Sequence, residues 1–103
     1  MDKKYELVPT DRLCWKGLLL YRIRALKDFA DVKAGDLGGY IQNEDMLSQI
    51  GNCWIYDDAK VFGLAVVKED ATVRGDSEIY GWTVLEGSSK IVDQKIYTPR
   101  PSN

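Results

Sequence analysis

A branched or long aliphatic residue stands at every sixth position through the second half of the chain: Ile55, Val61, Val67, Val73, Ile79, Leu85 and Ile91. Two positions before each stands a small residue: Cys53, Ala59, Ala65, Ala71, Ser77, Thr83 and Ser89. A strand alternates its faces every two residues and a helix repeats every ~3.6, so a strict period of six fits neither alone and predicts a short strand plus a corner. Gly63, Gly75, Gly81 and Gly87 fall two places after the aliphatic, where a tight corner needs permissive backbone or has no room for a Cβ. Three such units close one triangular turn, and the pattern predicts an all-β fold, a parallel β-helix over residues 51–97.

Upstream the pattern changes. Tyr5 to Val8 and Leu18 to Leu26 have strand character, with Lys16-Gly17 as the turn between them. In the second stretch Leu20, Arg22 and Arg24 alternate with Tyr21, Ile23 and Ala25, which leaves the two arginines facing water or an acidic partner. Pro9-Thr10-Asp11 and Lys33-Ala34-Gly35-Asp36 read as turns, and Gly38-Gly39 as a sharp bend or a close approach of backbones. A short helix is expected at about Glu44 to Leu47, capped by Asn43. Residues 1–50 are therefore expected to cap the open first coil, as a solenoid end requires. Pro99 and Pro101 stop strand pairing, leaving 98–103 as a loose tail.

Composition narrows the classes. The 103 residues make one domain whose core must come from stacked coils. Fourteen basic against sixteen acidic residues give a net charge of -2, and nothing marks a nucleic-acid-binding surface. Cys14 and Cys53 are the two cysteines; Cys53, in the small-residue register, is expected to point inward as a reduced thiol, suggesting an intracellular protein. Leu18-Leu19-Leu20 is far too short to span a membrane and MDKKYE is no signal peptide, so a cytoplasmic location is expected.

Residues 53–93 resemble the hexapeptide repeats of the left-handed parallel β-helix family; periodicity alone does not give the handedness. The stretch Leu20 to Leu26, with Gly35 to Ile41, Gly51 to Tyr56 and the repeat Ala59-Lys60-Val61-Phe62-Gly63, is also similar to small proteins of bacteriophages and prophages, many without an assigned activity. The β-helix resemblance implies a histidine general base for acyltransferases and several histidine ligands for carbonic anhydrases. This chain has no histidine. Acyl transfer needs a base near the acceptor, and Asp57-Asp58 or Glu69-Asp70 are ordinarily solvated corner residues. The expectation is a non-enzymatic protein with no cofactor and no metal site.

Side chains one coil apart, 18 residues, lie above one another. Phe62 then stacks with Tyr80, Leu64 with Trp82, and Val66 with Val84, all out of phase with the inward residues. The other faces pair Lys68, Asp70 and Thr72 with Glu86, Ser88 and Lys90, and Tyr56, Asp58 and Lys60 with Arg74, Asp76 and Glu78. One greasy and two polar faces point to a protein interface, a homo-trimer first and a dimer second, unless the cap or tail covers the stripe. Tyr80 and Trp82 are its expected anchors. Trp54 is expected as a covered structural tryptophan. Arg22, Arg24 and Arg74 are the candidate ligand contacts. Phage resemblance suggests an inhibitor of a host defence system that captures a host protein or a small nucleotide signal. The alternatives are a structural or oligomerisation module of a phage assembly and, last, a degenerate acyltransferase-like protein.

Overall fold

The computed structural model describes residues 2–102. Strands β1 (Tyr5–Trp15) and β2 (Leu18–Ala25) form an antiparallel hairpin turned by Lys16 and Gly17, and β2 pairs antiparallel with β3 (Leu37–Ile41). After a single 3-10 turn at Glu44–Met46, capped by the Asn43 side chain, the chain lays down eight short strands. These are β4 (Trp54–Ile55), β5 (Lys60–Val61), β6 (Val66–Val67), β7 (Thr72–Arg74), β8 (Glu78–Gly81), β9 (Val84–Leu85), β10 (Lys90–Val92) and β11 (Lys95–Thr98). From β3 onward every pairing between named strands is parallel. The result is an all-β parallel solenoid of about three coils, as the period of six predicts.

Its three faces are the sheet β1-β2-β3-β5-β8-β11, the pair β6-β9 and the sheet β10-β7-β4. Ile55, Val61, Val67, Val73 and Ile79 are fully buried, with Cys53, Ala59, Ala65 and Ala71 beside them. Ser77, Thr83 and Ser89 occupy the small position without leaving a polar orphan, because each hydroxyl donates to the carbonyl three residues back.

Pairs such as Trp54 with Thr72 and Val66 with Val84 hold the 18-residue coil. The ends do not. Tyr40 pairs with Lys60 and Leu47 bridges to Val67, so the first coil carries two extra residues, while Lys95 pairs with Glu78 and the last coil is one short. Ile41 and Leu47, both fully buried, thus belong to the stacked core, and parallel pairing begins at β3 rather than at residue 51.

Every sixth residue from Gly51 to Asp93 turns a corner with positive φ, between 52 and 83 degrees: Gly51, Asp57, Gly63, Glu69, Gly75, Gly81, Gly87 and Asp93. Three carry side chains, and each carboxylate binds a backbone N–H of the adjacent coil. Asp57 accepts from Gly75 at 2.9 Å, Glu69 from Gly87 at 2.7 Å and Asp93 from Asp76 at 2.9 Å. A corner residue with a side chain always lies over glycine. A Cβ on Gly75 would collide with the Asp93 carboxylate, and one on Gly51 would sit 2.5 Å from the Glu69 carbonyl oxygen. Asp57 and Glu69, expected as solvated corner residues, are staples between coils.

The cap closes the first coil with side chains as well as strands. The buried Lys4 ammonium donates to the carbonyl oxygens of Cys53 at 2.7 Å and Gly51 at 3.2 Å, and the Tyr5 hydroxyl donates to that of Leu47 at 2.6 Å. Trp54, 1% exposed, packs edge-on against Tyr5 and Phe29 and is the covered structural tryptophan that was expected. At Gly38-Gly39 backbones approach closely, since a Cβ on Gly38 would lie 2.5 Å from the Ile55 carbonyl oxygen. The expected turn at Pro9-Thr10-Asp11 is instead an irregularity inside β1, where the register slips between Leu7 and Arg12 and lets one long strand bend.

Candidate functional site

The outer surface of the first face carries two columns. Lys60, Glu78 and Lys95 form one, and Phe62, Tyr80 and Tyr97 the other. Phe62 stacks on Tyr80 with ring centres 5.1 Å apart, and Tyr80 meets Tyr97 at 5.2 Å. The tip of the β1-β2 hairpin leans over both columns. Trp15 donates its indole N–H to Glu78 at 3.4 Å and lies under the Lys60 ammonium at 4.6 Å, and Lys16 pairs with Glu78 at 3.3 Å and faces Tyr80 at 5.7 Å.

Lys95 completes the cluster, 3.6 Å from the second Glu78 oxygen. Burial alone would raise the Glu78 pKa, but Lys16, Lys95 and the Trp15 N–H outweigh it and hold the carboxyl below its ordinary range. Glu78 is therefore an anchor for lysines rather than a proton acceptor near neutrality. The Lys16 and Lys95 side chains remain 55% and 69% exposed, so two ammoniums beside accessible aromatic surface stay open to an anionic ligand.

The stripe expected as one interface is divided. Phe62 is buried and Tyr80 and Val66 are half-buried, while Leu64, Trp82 and Val84 are exposed. Leu64 and Val66, with Met46, also border a groove of about 210 Å³.

The three candidate arginines do not converge. Arg22 is held by Asp11, Asp58, the Tyr40 hydroxyl and the Gly38 carbonyl. Arg24 pairs with Glu6. Arg74 stacks 3.6 Å above Tyr56 and faces Asp31, which accepts the Tyr56 hydroxyl at 2.6 Å. Burial first and the Asp31 carboxylate second push the Tyr56 phenol up to about 12. Each arginine is matched by a carboxylate of the chain itself and pins one segment to the next.

The sequence pattern gives no sign of Trp15 or Lys95 at this site, marks Lys16 only as a turn residue and Lys60 only as one member of a polar face. Lys60 and Glu78 could be placed in one column by the 18-residue period, but the hairpin's return over that column could not. Among the described residues no group of three or more His, Cys, Asp or Glu is placed to hold a metal ion, and no helix is long and apolar enough to cross a membrane.

No protein family model matches the chain. Over 67 residues, 64% of its length, it is 48% identical to a protein of Escherichia coli (strain K12) named "Uncharacterized acetyltransferase YdcK". The matched stretch spans only about a fifth of that relative, 21% of its length. Together with the solenoid, this similarity supports a left-handed β-helix of the hexapeptide-repeat kind. It also corrects the expectation of a non-enzymatic protein: a relative named as an acetyltransferase points toward an enzyme. The missing histidine removes one kind of base, and that is too little to remove acyl transfer, because other titratable groups can move a proton. The expectation of a phage-encoded inhibitor has no support in the fold or in the relative.

Proposed function

We propose that this chain is the β-helical part of an acetyltransferase-like protein, and that the shelf of Trp15, Lys16, Lys60, Tyr80, Lys95 and Tyr97 receives the nucleotide end of an acyl-coenzyme A donor. The similarity to the acetyltransferase-named relative carries the reading. The shelf supports it chemically. Three lysines against one carboxylate leave a net charge of +2 for phosphates, and Tyr97, 58% exposed, offers a ring face to a purine.

Calorimetric titration of the full chain with coenzyme A tests this. Binding should weaken as salt rises, because the contacts are ionic, and Lys60→Glu or Lys95→Glu should each weaken it by roughly tenfold, about 1.4 kcal/mol. Coenzyme A that fails to bind at millimolar concentration, or binds equally to both variants, would overturn the proposal.

The exposed Leu64, Trp82 and Val84, with Val66, are in this reading a seam between copies of the chain. One repeated lateral face per subunit suffices to close three solenoids about a common axis.

A further inference from the structure

The first small inward position of the repeat carries a thiol. Where Ala59, Ala65 and Ala71 fill the next three small inward positions, the first such position has Cys53, fully buried, and against it lies Lys4, 1% exposed. The lysine Nζ is 3.3 Å from the Cys53 Sγ. Its bonds to the Gly51 and Cys53 carbonyls fix the amine in that position, and Phe29 covers it at 4.9 Å. Burial, the largest influence, lowers the Lys4 pKa, which increases the share of neutral, nucleophilic amine. Lys4 and Gly51 also line an open cavity of about 480 Å³, wide enough to admit a small oxidant.

We propose that Lys4 and Cys53 are a modification site, joined by hydrogen peroxide into a covalent nitrogen–oxygen–sulfur cross-link. One peroxide oxidises the thiol to a sulfenic acid and leaves as water. A second oxidises the amine to a hydroxylamine and again leaves as water. The hydroxylamine oxygen then displaces hydroxide from sulfur, the hydroxide takes the N–O–H proton, and a third water departs. Sulfur and nitrogen each lose two electrons, and each peroxide gains two. The bond ties the start of the cap to the first coil, closing the loop from residue 4 to residue 53 and restricting the unfolded chain.

The test uses the full chain with Cys14→Ser, which removes the exposed thiol. After hydrogen peroxide treatment and digestion, mass spectrometry should find the peptide holding Lys4 joined to the peptide holding Cys53. The joined pair should be heavier by one oxygen and lighter by two hydrogens than the separate peptides, and a thiol reductant should part them. The melting temperature should rise on oxidation and return on reduction. Lys4→Arg and Cys53→Ala, the latter supplying the residue that the repeat already uses at 59, 65 and 71, should show neither the link nor the temperature shift. Recovery of Cys53 from peroxide-treated folded protein as an unlinked thiol, or as sulfinic or sulfonic acid, would overturn the proposal.

Discussion

Asp57, Glu69 and Asp93 occupy left-handed backbone that ordinarily favours glycine, and each is compensated by a hydrogen bond to the neighbouring coil. The corners are therefore not equivalent to mutation. Gly87→Ala meets no neighbour and should cost about 1–2 kcal/mol from its positive φ alone. Gly75→Ala adds the collision with Asp93 and should cost about 2–4 kcal/mol. Adding Asp93→Gly should recover roughly 1 kcal/mol in a double-mutant cycle, whereas no side-chain change can relieve Gly51→Ala, which strikes backbone. Chemical denaturation of the variants checks all three. The glycines at these corners were legible in the sequence because their spacing is regular. The carboxylates were not, because a charged residue at a corner reads as solvated until the coil above it is in place. Lys4 was illegible for the same reason: its partners are carbonyl oxygens some 50 positions away, and backbone acceptors leave no mark on the sequence.

Among the elements, the β1-β2 hairpin departs most from expectation, being longer and interrupted by a register slip. It was legible as two strands and a Lys16-Gly17 turn, but neither the slip after Leu7 nor the contacts of its tip with β5 and β8 have a hydrophobic signature. The same holds for the coils at either end. The step of eight positions from Leu47 to Ile55 and the step of five from Ile91 to Ile96 break the phase of six, so Ile41, Leu47 and Ile96 lie outside the pattern although all three pack in or against the core. The hairpin tip is fastened through Glu78, and this attachment should depend on pH. Its folded pKa lies below the ordinary 4.5, so its stabilising contribution is complete above that value, declines as pH falls toward the lower folded value, and is absent below it. Wild type should therefore exceed Glu78→Gln in stability at pH 7, and the difference should vanish in strong acid. Melting curves at a series of pH values read this directly.

For the whole molecule, the division of faces matters more than any single contact. If Leu64, Val66, Trp82 and Val84 form a threefold seam, light scattering during size-exclusion chromatography should give about 35 kDa, three times the 11.7 kDa chain. Trp82→Glu should then shift the mass to that of one chain, and a wild-type monomer would dismiss the seam. The architecture at this scale was the most legible, because a period repeated from coil to coil averages out local exceptions. The candidate site was the least, since it depends on a hairpin meeting the solenoid from outside. The alternation of glycine and carboxylate up two of the corners also sets a rule of parity for the lineage of such a protein. Copying one coil would place carboxylate over carboxylate or glycine over glycine, whereas copying two restores the alternation. Heritable growth of this solenoid should therefore proceed by even numbers of coils.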